Sequence, residues 1–187
     1  MKIPRCIPNV LTGLRIVLTF IYLLFLDNLN LYSNNRLYFA SAGIVFFLIC
    51  VTDFIDGKIA RKIKAESLFG SFLDVTADFI FIISSLALLN LNNRIPIWVT
   101  VIILIKFIEF LVTSYIIKKY YNVSNNFFQF DYFGRAAAIS FFLIPGMVLL
   151  TYIGLDIIYI NILIFITLIL VIISFSVRCT KVIKCLS

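Results

Sequence analysis

The chain has 187 residues, of which 63% are hydrophobic and only 13% are charged. Soluble domains carry about a quarter charged residues, so this composition excludes an ordinary soluble domain. Several apolar runs approach the ~20 residues that a helix needs to cross a bilayer, and the alternating pattern of a membrane β-barrel is absent from the sequence. We therefore expect an all-α integral membrane protein that forms one domain over residues 1–187.

Sixteen Lys and Arg residues against nine Asp and Glu residues give a net charge of +7. In a membrane protein, the bias of cations toward the cytoplasm and the attraction to anionic lipid account for such an excess, so no nucleic-acid partner is predicted. The chain contains no histidine. Any acid–base chemistry therefore falls to carboxylates, Lys, Tyr or Cys, and histidine is excluded as a metal ligand.

Residues 1–8 form a short basic segment, which we expect to be retained because Arg15 lies inside the apolar stretch that follows it. Polar loops are expected at residues 27–36 and 118–130. The hydropathy pattern predicts six transmembrane helices, at residues 9–26, 37–60, 67–91, 96–117, 131–152 and 156–177. A basic tail follows the sixth.

Six spans place both termini on one side of the membrane. Eleven cations fall on that side or at the helix ends next to it: Lys2, Arg5, Lys58, Arg61, Lys62, Lys64, Lys118, Lys119, Arg178, Lys181 and Lys184. The opposite loops hold two, Arg36 and Arg94. This asymmetry predicts that both termini are cytoplasmic, in a membrane of the bacterial cytoplasmic type.

The stretch from Asp53 to Asp78 carries four aspartates between strongly apolar flanks. Asp53 and Asp56 are three residues apart, and Asp74 and Asp78 are four apart, so on helices each pair shares one face. A carboxylate at the bilayer centre costs about 2.5–3.5 kcal/mol on insertion scales. We therefore expect these four near the cytoplasmic membrane edge, facing a wet cavity and bound to cations.

Carboxylates without His or Cys suit Mg²⁺, Mn²⁺ or Ca²⁺, and two such ions are a usual clamp for phosphoryl transfer. Small residues near the acids, Gly57, Ala60 and Gly70, allow a ligand or the facing helix to approach the backbone. Arg61 can form a forked pair of hydrogen bonds to phosphate. Together these residues suggest a site for a nucleotide diphosphate.

The pattern D-x2-D-G-x2-A-R-x8-G-x3-D-x3-D over residues 53–78 resembles the signature of the CDP-alcohol phosphotransferase family, with every position filled. The resemblance extends to the layout of six spans. It implies a membrane enzyme, commonly a homodimer, that moves a phosphate-bearing group from a CDP-linked donor to an alcohol and releases CMP. The donor would be CDP-diacylglycerol.

The resemblance also implies a role for each residue of the pattern. Asp53, Asp56 and Asp74 would be the principal ligands of two Mg²⁺ or Mn²⁺ ions. Asp78 would take the proton of the acceptor hydroxyl and also contact a metal. The CDP pocket would be lined by four residues: Gly57, Ala60, Arg61 and Gly70.

The first span adds a shorter pattern, I-P-N-V-L-T-x2-R over residues 7–15. It is similar to the opening of the phosphatidylglycerophosphate synthase and cardiolipin synthase branches of the family, in which this helix borders the nucleotide. Asn9 and Thr12 are three residues apart, so both could reach the CDP moiety.

Two cations inside spans indicate the acceptor. Lys106 lies in the middle of the fourth span and Arg135 near the start of the fifth, and the resemblance implies that basic residues here hold a phosphate on the acceptor. Glycerol 3-phosphate is then the predicted acceptor and phosphatidylglycerophosphate the product. An ion pair with Glu109 is the alternative for Lys106, and pairing with Asp131 or snorkelling is the alternative for Arg135.

The sequence departs from the synthase pattern at residues 74–79, which read D-V-T-A-D-F in place of D-P-x-A-D-K. Other acceptors therefore remain open: an inositol compound, serine, or a second phospholipid such as phosphatidylglycerol. Outside the enzymes, a small cation transporter would use carboxylates too, but spread through the depth of the membrane. A purely structural alternative pairs the four aspartates with the basic cluster at residues 58–64.

Overall fold

The computed structural model describes residues 7–31, 36–62, 68–121 and 131–186. Within these ranges the chain forms six α-helices and no strand, as expected from the sequence. Each helix is long and apolar enough to cross a membrane. The helices are α1 (Ile7–Leu31), α2 (Arg36–Lys62), α3 (Leu68–Leu91), α4 (Ile97–Tyr121), α5 (Tyr132–Thr151) and α6 (Ile157–Leu186).

The helices extend beyond several predicted boundaries: α4 continues past residue 117 to Tyr121, and the two largest extensions are those of α1 and α6. The expected polar loop at 27–36 begins late, because α1 continues through Asp27 to Leu31. The expected basic tail after residue 177 is helical, because α6 runs on to Leu186. In both cases polar residues mark the end of the apolar stretch but do not interrupt the backbone hydrogen bonds of the helix.

Short turns join α3 to α4 and α5 to α6. In the first, Asn93 adopts a left-handed conformation (φ 54°) and the amide of Arg94 donates to the carbonyl of Leu89 at 2.9 Å. In the second, Gly154 has φ 99°, a conformation that glycine adopts without steric cost. Because both turns are tight, α3 and α4 are antiparallel neighbours, and so are α5 and α6.

The core lies where α1, α2, α3 and α5 meet. Four aromatic side chains form its centre: the Tyr22 ring is 5.5 Å from Phe81, Phe81 is 4.5 Å from Phe142, and Phe46 is 6.2 Å from Phe142. Tyr22 and Phe81 are fully buried. This aromatic cluster fixes the relative positions of the helices that carry the four aspartates.

The contact between α2 and α5 gives a test of this packing. A β-carbon on Gly146 would lie 2.5 Å from Cζ and 2.6 Å from Cε1 of Phe46, whose ring is packed against the other aromatic rings. Overpacking costs about 1–3 kcal/mol, more than the roughly 1 kcal/mol by which alanine favours a helix over glycine. We expect Gly146→Ala to lower the thermal unfolding midpoint in detergent.

Gly43→Ala is the matched control, since a β-carbon there meets nothing within 4 Å. It should keep or raise the midpoint, because only the helix preference changes. Equal effects of the two substitutions would contradict the tight packing between Phe46 and α5.

Candidate active site

The four aspartates meet at one end of the bundle. Asp53 and Asp56 lie near the end of α2, and Asp74 and Asp78 lie near the beginning of α3. Because α2 and α3 are consecutive membrane-crossing helices, these segments share the end at which α1, α3 and α5 begin. We call it the site end. The helical spacing of each pair turns its two carboxylates toward the same volume.

Arg15 of α1 occupies the centre of this volume. Its Nη2 atom pairs with Asp53 at 3.0 Å and with Asp56, and its Nη1 atom pairs with Asp74 at 2.9 Å and Asp78 at 2.6 Å. Nη2 thus contacts the two aspartates of α2, and Nη1 contacts the two aspartates of α3. The guanidinium stabilises four carboxylates that would otherwise repel one another.

Access to the four carboxylates is unequal. Side-chain exposure is 43% for Asp53, 41% for Asp74 and 34% for Asp78, against 4% for Asp56 and 0% for Arg15. Thr12, one turn before Arg15, donates a hydrogen bond to Asp56 Oδ2 at 3.4 Å. A ligand can therefore reach the carboxylates of Asp53, Asp74 and Asp78 from outside, whereas Asp56 is buried against Thr12 and Arg15 of α1.

The geometry suits a divalent cation. Asp53, Asp56 and Asp74 each offer a carboxylate oxygen, and these oxygens all lie within 4.8 Å of one another. Oxygen ligands about 2.1 Å from Mg²⁺ or 2.4 Å from Ca²⁺ lie up to about 4–5 Å apart around one ion. The donor set and its spacing fit a hard cation. Asp78 is outside this group of three but shares Arg15 with it.

A second buried cluster of charges lies beside the first, on α4, α5 and α6. Arg178 is 2% exposed, and it forms ion pairs with Glu109 Oε1 and with Asp131 Oδ1, each at 3.3 Å. Its Nη2 atom donates to the Phe110 carbonyl at 3.1 Å and to Ser114 Oγ at 2.9 Å. Arg178 thus ties the beginning of α5 and the end of α6 to α4.

Lys106 joins this cluster through Glu109, since its Nζ lies 2.5 Å from Glu109 Oε2. Both side chains are largely buried. Each oxygen of the Glu109 carboxylate therefore faces a different cation, Lys106 or Arg178. The ion pair that the sequence offered as the alternative for Lys106 is present.

Asp131 is the N-cap of α5. Its extended backbone (φ −83°, ψ 159°) directs the carboxylate onto the amide of Gly134, which donates to Oδ2 at 2.8 Å. A β-carbon on Gly134 would lie 2.5 Å from Asp131 Oδ1, so glycine makes this close capping contact possible. Burial alone would raise the pKa of Asp131, but the Ser174 hydroxyl, the Gly134 amide and Arg178 together bring it below the ordinary value.

A cavity of about 150 Å³ connects the two clusters. Asp74 and Asp78 of α3 line it, and so do Lys106 of α4 and Asp131 at the start of α5. The remaining wall is apolar apart from Gly134, and consists of Val75, Phe79, Ile82, Ile103, Phe107, Phe110, Ala138 and Phe141. The cavity is therefore a mostly apolar chamber, with three carboxylates and one lysine among the residues that line it.

The other residues singled out in the sequence lie around this chamber or outside it. Arg135 is exposed on α5 and is not part of the cavity wall. Gly57 and Gly70 are half-buried on α2 and α3. The side chains of Asn9, Ala60 and Arg61 lie outside the part of the chain that the structure describes.

Sequence reasoning missed the cations that hold the acids. Arg15 received no role, although a single arginine inside an apolar first span was the available signal. Arg178 was placed in a basic tail after the sixth span, but it lies within α6 and its side chain is buried among Glu109, Asp131 and Thr113. Among the described side chains, the four aspartates pair with Arg15. The basic cluster at residues 58–64, which the structural alternative named as their partner, has its side chains outside the described part of the chain.

Comparison with known proteins agrees with the family resemblance of the residue pattern at 53–78. A family model described as CDP-alcohol phosphatidyltransferase matches residues 5–176. The CDP-diacylglycerol--glycerol-3-phosphate 3-phosphatidyltransferase of Wigglesworthia glossinidia brevipalpis is 34% identical over 110 residues, which cover 58% of this chain and 56% of that protein.

Two further relatives differ in their described products. A probable phosphatidylglycerophosphate synthase of Mycobacterium tuberculosis is 38% identical over 98 residues, or 51% of this chain and 45% of that protein. A cardiolipin synthase (CMP-forming) of Streptomyces coelicolor is 31% identical over 99 residues, or 53% of this chain and 45% of that protein. The chain thus spans about half the length of the curated relatives that it matches.

The match of the family model covers nearly the whole chain, including the four aspartates, Arg15, Lys106, Glu109 and Asp131, and Arg178 lies just beyond its end. It agrees with the pattern of aspartates and glycines and with the six apolar helices. The chain belongs to the CDP-alcohol phosphatidyltransferase family.

Proposed function

We propose that the protein transfers the phosphatidyl group of CDP-diacylglycerol to the hydroxyl of glycerol 3-phosphate, forming phosphatidylglycerophosphate and CMP. The observation that carries the proposal is a cluster of four carboxylates around Arg15, two of which, Asp74 and Asp78, line a cavity that Lys106 also lines. Relatives described as glycerol-3-phosphate 3-phosphatidyltransferases support the choice of acceptor.

In this reaction the acceptor oxygen forms a bond to the phosphorus that carries the diacylglycerol, and the bond from that phosphorus to the CMP oxygen breaks. Asp78 takes the proton of the acceptor hydroxyl, because it lines the cavity and is partly exposed. Asp53, Asp56 and Asp74 would hold Mg²⁺ or Mn²⁺, which supplies charge neutralisation for the diphosphate and the departing CMP.

Lys106 is the best placed cation for the acceptor phosphate. It lines the same cavity as Asp74 and Asp78, and its ammonium group is paired with Glu109, which also pairs with Arg178. Arg135 would act from outside the chamber, at its entrance. Gly57, Gly70, Thr12, Asn9, Ala60 and Arg61 remain the proposed surroundings of the CDP moiety.

We further propose that the site end faces the cytoplasm and that the protein acts as a homodimer in the membrane. The excess of cations at this end supports the orientation, with Lys118 and Lys119 at the end of α4 and Lys181 near the end of α6. Dimer formation is supported by the family alone.

Phosphatidylglycerol is a second candidate acceptor. The apolar lining of the chamber and the relative described as a cardiolipin synthase both favour it. Because its headgroup phosphate is also anionic, Lys106 would suit either molecule. The products distinguish them: phosphatidylglycerophosphate from the first acceptor, cardiolipin from the second.

The direct experiment measures CMP release from CDP-diacylglycerol by the full chain in detergent, with Mg²⁺ or Mn²⁺ and each acceptor in turn. We expect release that depends on both the metal and glycerol 3-phosphate. Faster release with phosphatidylglycerol would select the second candidate. Absence of release with every acceptor and metal would contradict the enzymatic proposal.

Replacing Asp78 with asparagine should abolish turnover and leave CDP binding intact. General-base catalysis contributes about 10²–10⁴-fold, so kcat should fall by at least that range. Asp27→Asn, an exposed acid at the other end of α1, is the control and should leave kcat unchanged. Loss of CDP binding in Asp78→Asn would instead assign this residue to metal binding.

Replacing Lys106 with glutamine should raise the KM for glycerol 3-phosphate by about 10–100-fold, the equivalent of a charge-assisted hydrogen bond of roughly 1.5–3 kcal/mol. The KM for CDP-diacylglycerol should not change. Arg135→Gln should have a smaller effect on the acceptor KM, because Arg135 is outside the cavity wall.

Lys119→Gln, an exposed lysine on the same helix, is the control for Lys106→Gln. An unchanged acceptor KM in Lys106→Gln, with normal KM values in the control, would exclude this lysine from acceptor binding. It would also remove the structural reason for preferring a phosphorylated acceptor.

A further inference from the structure

Arg15 contacts the same three carboxylates that a cation would need. Asp53, Asp56 and Asp74 each offer an oxygen within 4.8 Å of the other two, and each also forms an ion pair with the guanidinium. A divalent ion bound to these three carboxylates would lie very close to a positive guanidinium in a poorly solvated site. Because like charges at that distance repel strongly, both cannot hold these positions together.

Among the described residues, the polar contacts of the guanidinium are with the four aspartates. Its two terminal nitrogens are filled by carboxylates, but its Nε is buried and has no hydrogen-bond partner. Arg178, the other buried arginine, uses Nε to donate to Thr113 at 2.7 Å and is surrounded by uncharged acceptors as well. Arg15 therefore would lose only its carboxylate contacts if it moved, whereas Arg178 is anchored from several sides.

The balance of charge also requires a cation beyond Arg15. The four aspartates and Arg15 together leave a net negative charge, which cannot receive an anionic diphosphate without further positive charge. Once divalent ions supply that charge, the aspartates no longer need the guanidinium. Arg15 would then be a buried cation beside a bound diphosphate.

We propose that Arg15 is a displaceable counter-cation. It holds the four aspartates together while no metal is bound, it competes with the metal for their oxygens, and it turns to the donor's diphosphate when the metal binds. The last step rests on the proposed function, whereas the competition with the metal does not. Arg15 is thus a positioning residue in one state and a diphosphate-binding residue in the other.

The test is a titration of the chelator-treated full chain in detergent with Mn²⁺, without nucleotide, in which the electron paramagnetic resonance signal measures free Mn²⁺. Removing the competing guanidinium in Arg15→Gln should tighten Mn²⁺ binding by about tenfold or more, in the usual range of coupling between two sites. Arg15→Lys, which keeps the charge but has a single nitrogen, should bind Mn²⁺ with an intermediate affinity. Arg94→Gln removes an exposed cation from the α3–α4 turn and should match the wild type.

A second titration, with CDP at saturating Mn²⁺, tests the other state. Arg15→Gln should bind CDP about tenfold more weakly than the wild type, because a charge-assisted contact to the diphosphate is lost. If Arg15→Gln unfolds without metal, Arg15→Lys provides the comparison for both titrations.

Equal or weaker Mn²⁺ binding in the Arg15 variants would overturn the competition and make Arg15 a fixed part of the metal-loaded site. Tighter Mn²⁺ binding with unchanged CDP binding would overturn the turn to the diphosphate. Tighter Mn²⁺ binding in a protein that releases no CMP would uphold the competition while the proposed enzymatic function fails. The two proposals are thus tested separately.

Discussion

A carboxylate inside an apolar helical bundle needs positive charge beside it, and this protein gathers four carboxylates at one end of its bundle. Arg15 meets all four with two nitrogens, one for α2 and one for α3. Without it, like charges from two neighbouring helices would push those helices apart. The approach of α1, α2 and α3 at the site end therefore depends on this ion-pair cluster, much as their middle depends on the aromatic side chains around Tyr22.

Ion pairs between buried charges also join α4, α5 and α6. Arg178 neutralises Glu109 and Asp131, and Glu109 in turn neutralises Lys106, so α4, α5 and α6 are joined by a chain of alternating charges. Asp131 also begins α5 as its cap, which links the start of that helix to the cluster. The cavity lies between the two charged groups. The charges of the two groups thus lie beside partners of opposite sign, most of them on another helix and, for Lys106 and Glu109, on the same helix.

The sequence predicted much of this arrangement, for identifiable reasons. The helical spacing places Asp53 and Asp56 on one face of the second helix, and Asp74 and Asp78 on one face of the third. The convergence of the four side chains therefore follows from local periodicity. The six helices follow from the length of the apolar runs. Arg15 could not be placed in this way, because its partners, from Asp53 to Asp78, lie 38 to 63 residues away in the chain and no local rule connects them.

For Arg178, the local sequence suggests a position at the membrane surface that differs from the buried position in the structure. A basic residue at the end of an apolar run ordinarily marks the membrane surface, and counting it as a surface cation was reasonable. Its burial depends on Glu109 and Asp131, two acids on other helices whose positions are known only after packing. Arg135 was ranked as an acceptor ligand from its position in the sequence, while the cavity wall includes Lys106 and not Arg135. Which face of a helix turns inward is decided by its neighbours, especially where a helix is apolar all round.

We propose that the aspartates at the site end bind a divalent cation between α2 and α3. Anomalous diffraction from crystals of the protein grown with Mn²⁺ and CDP tests this binding. We expect an anomalous peak within about 2.0–2.6 Å of carboxylate oxygens of Asp53, Asp56 and Asp74. Crystals with CDP bound but no anomalous peak between these three side chains would contradict it.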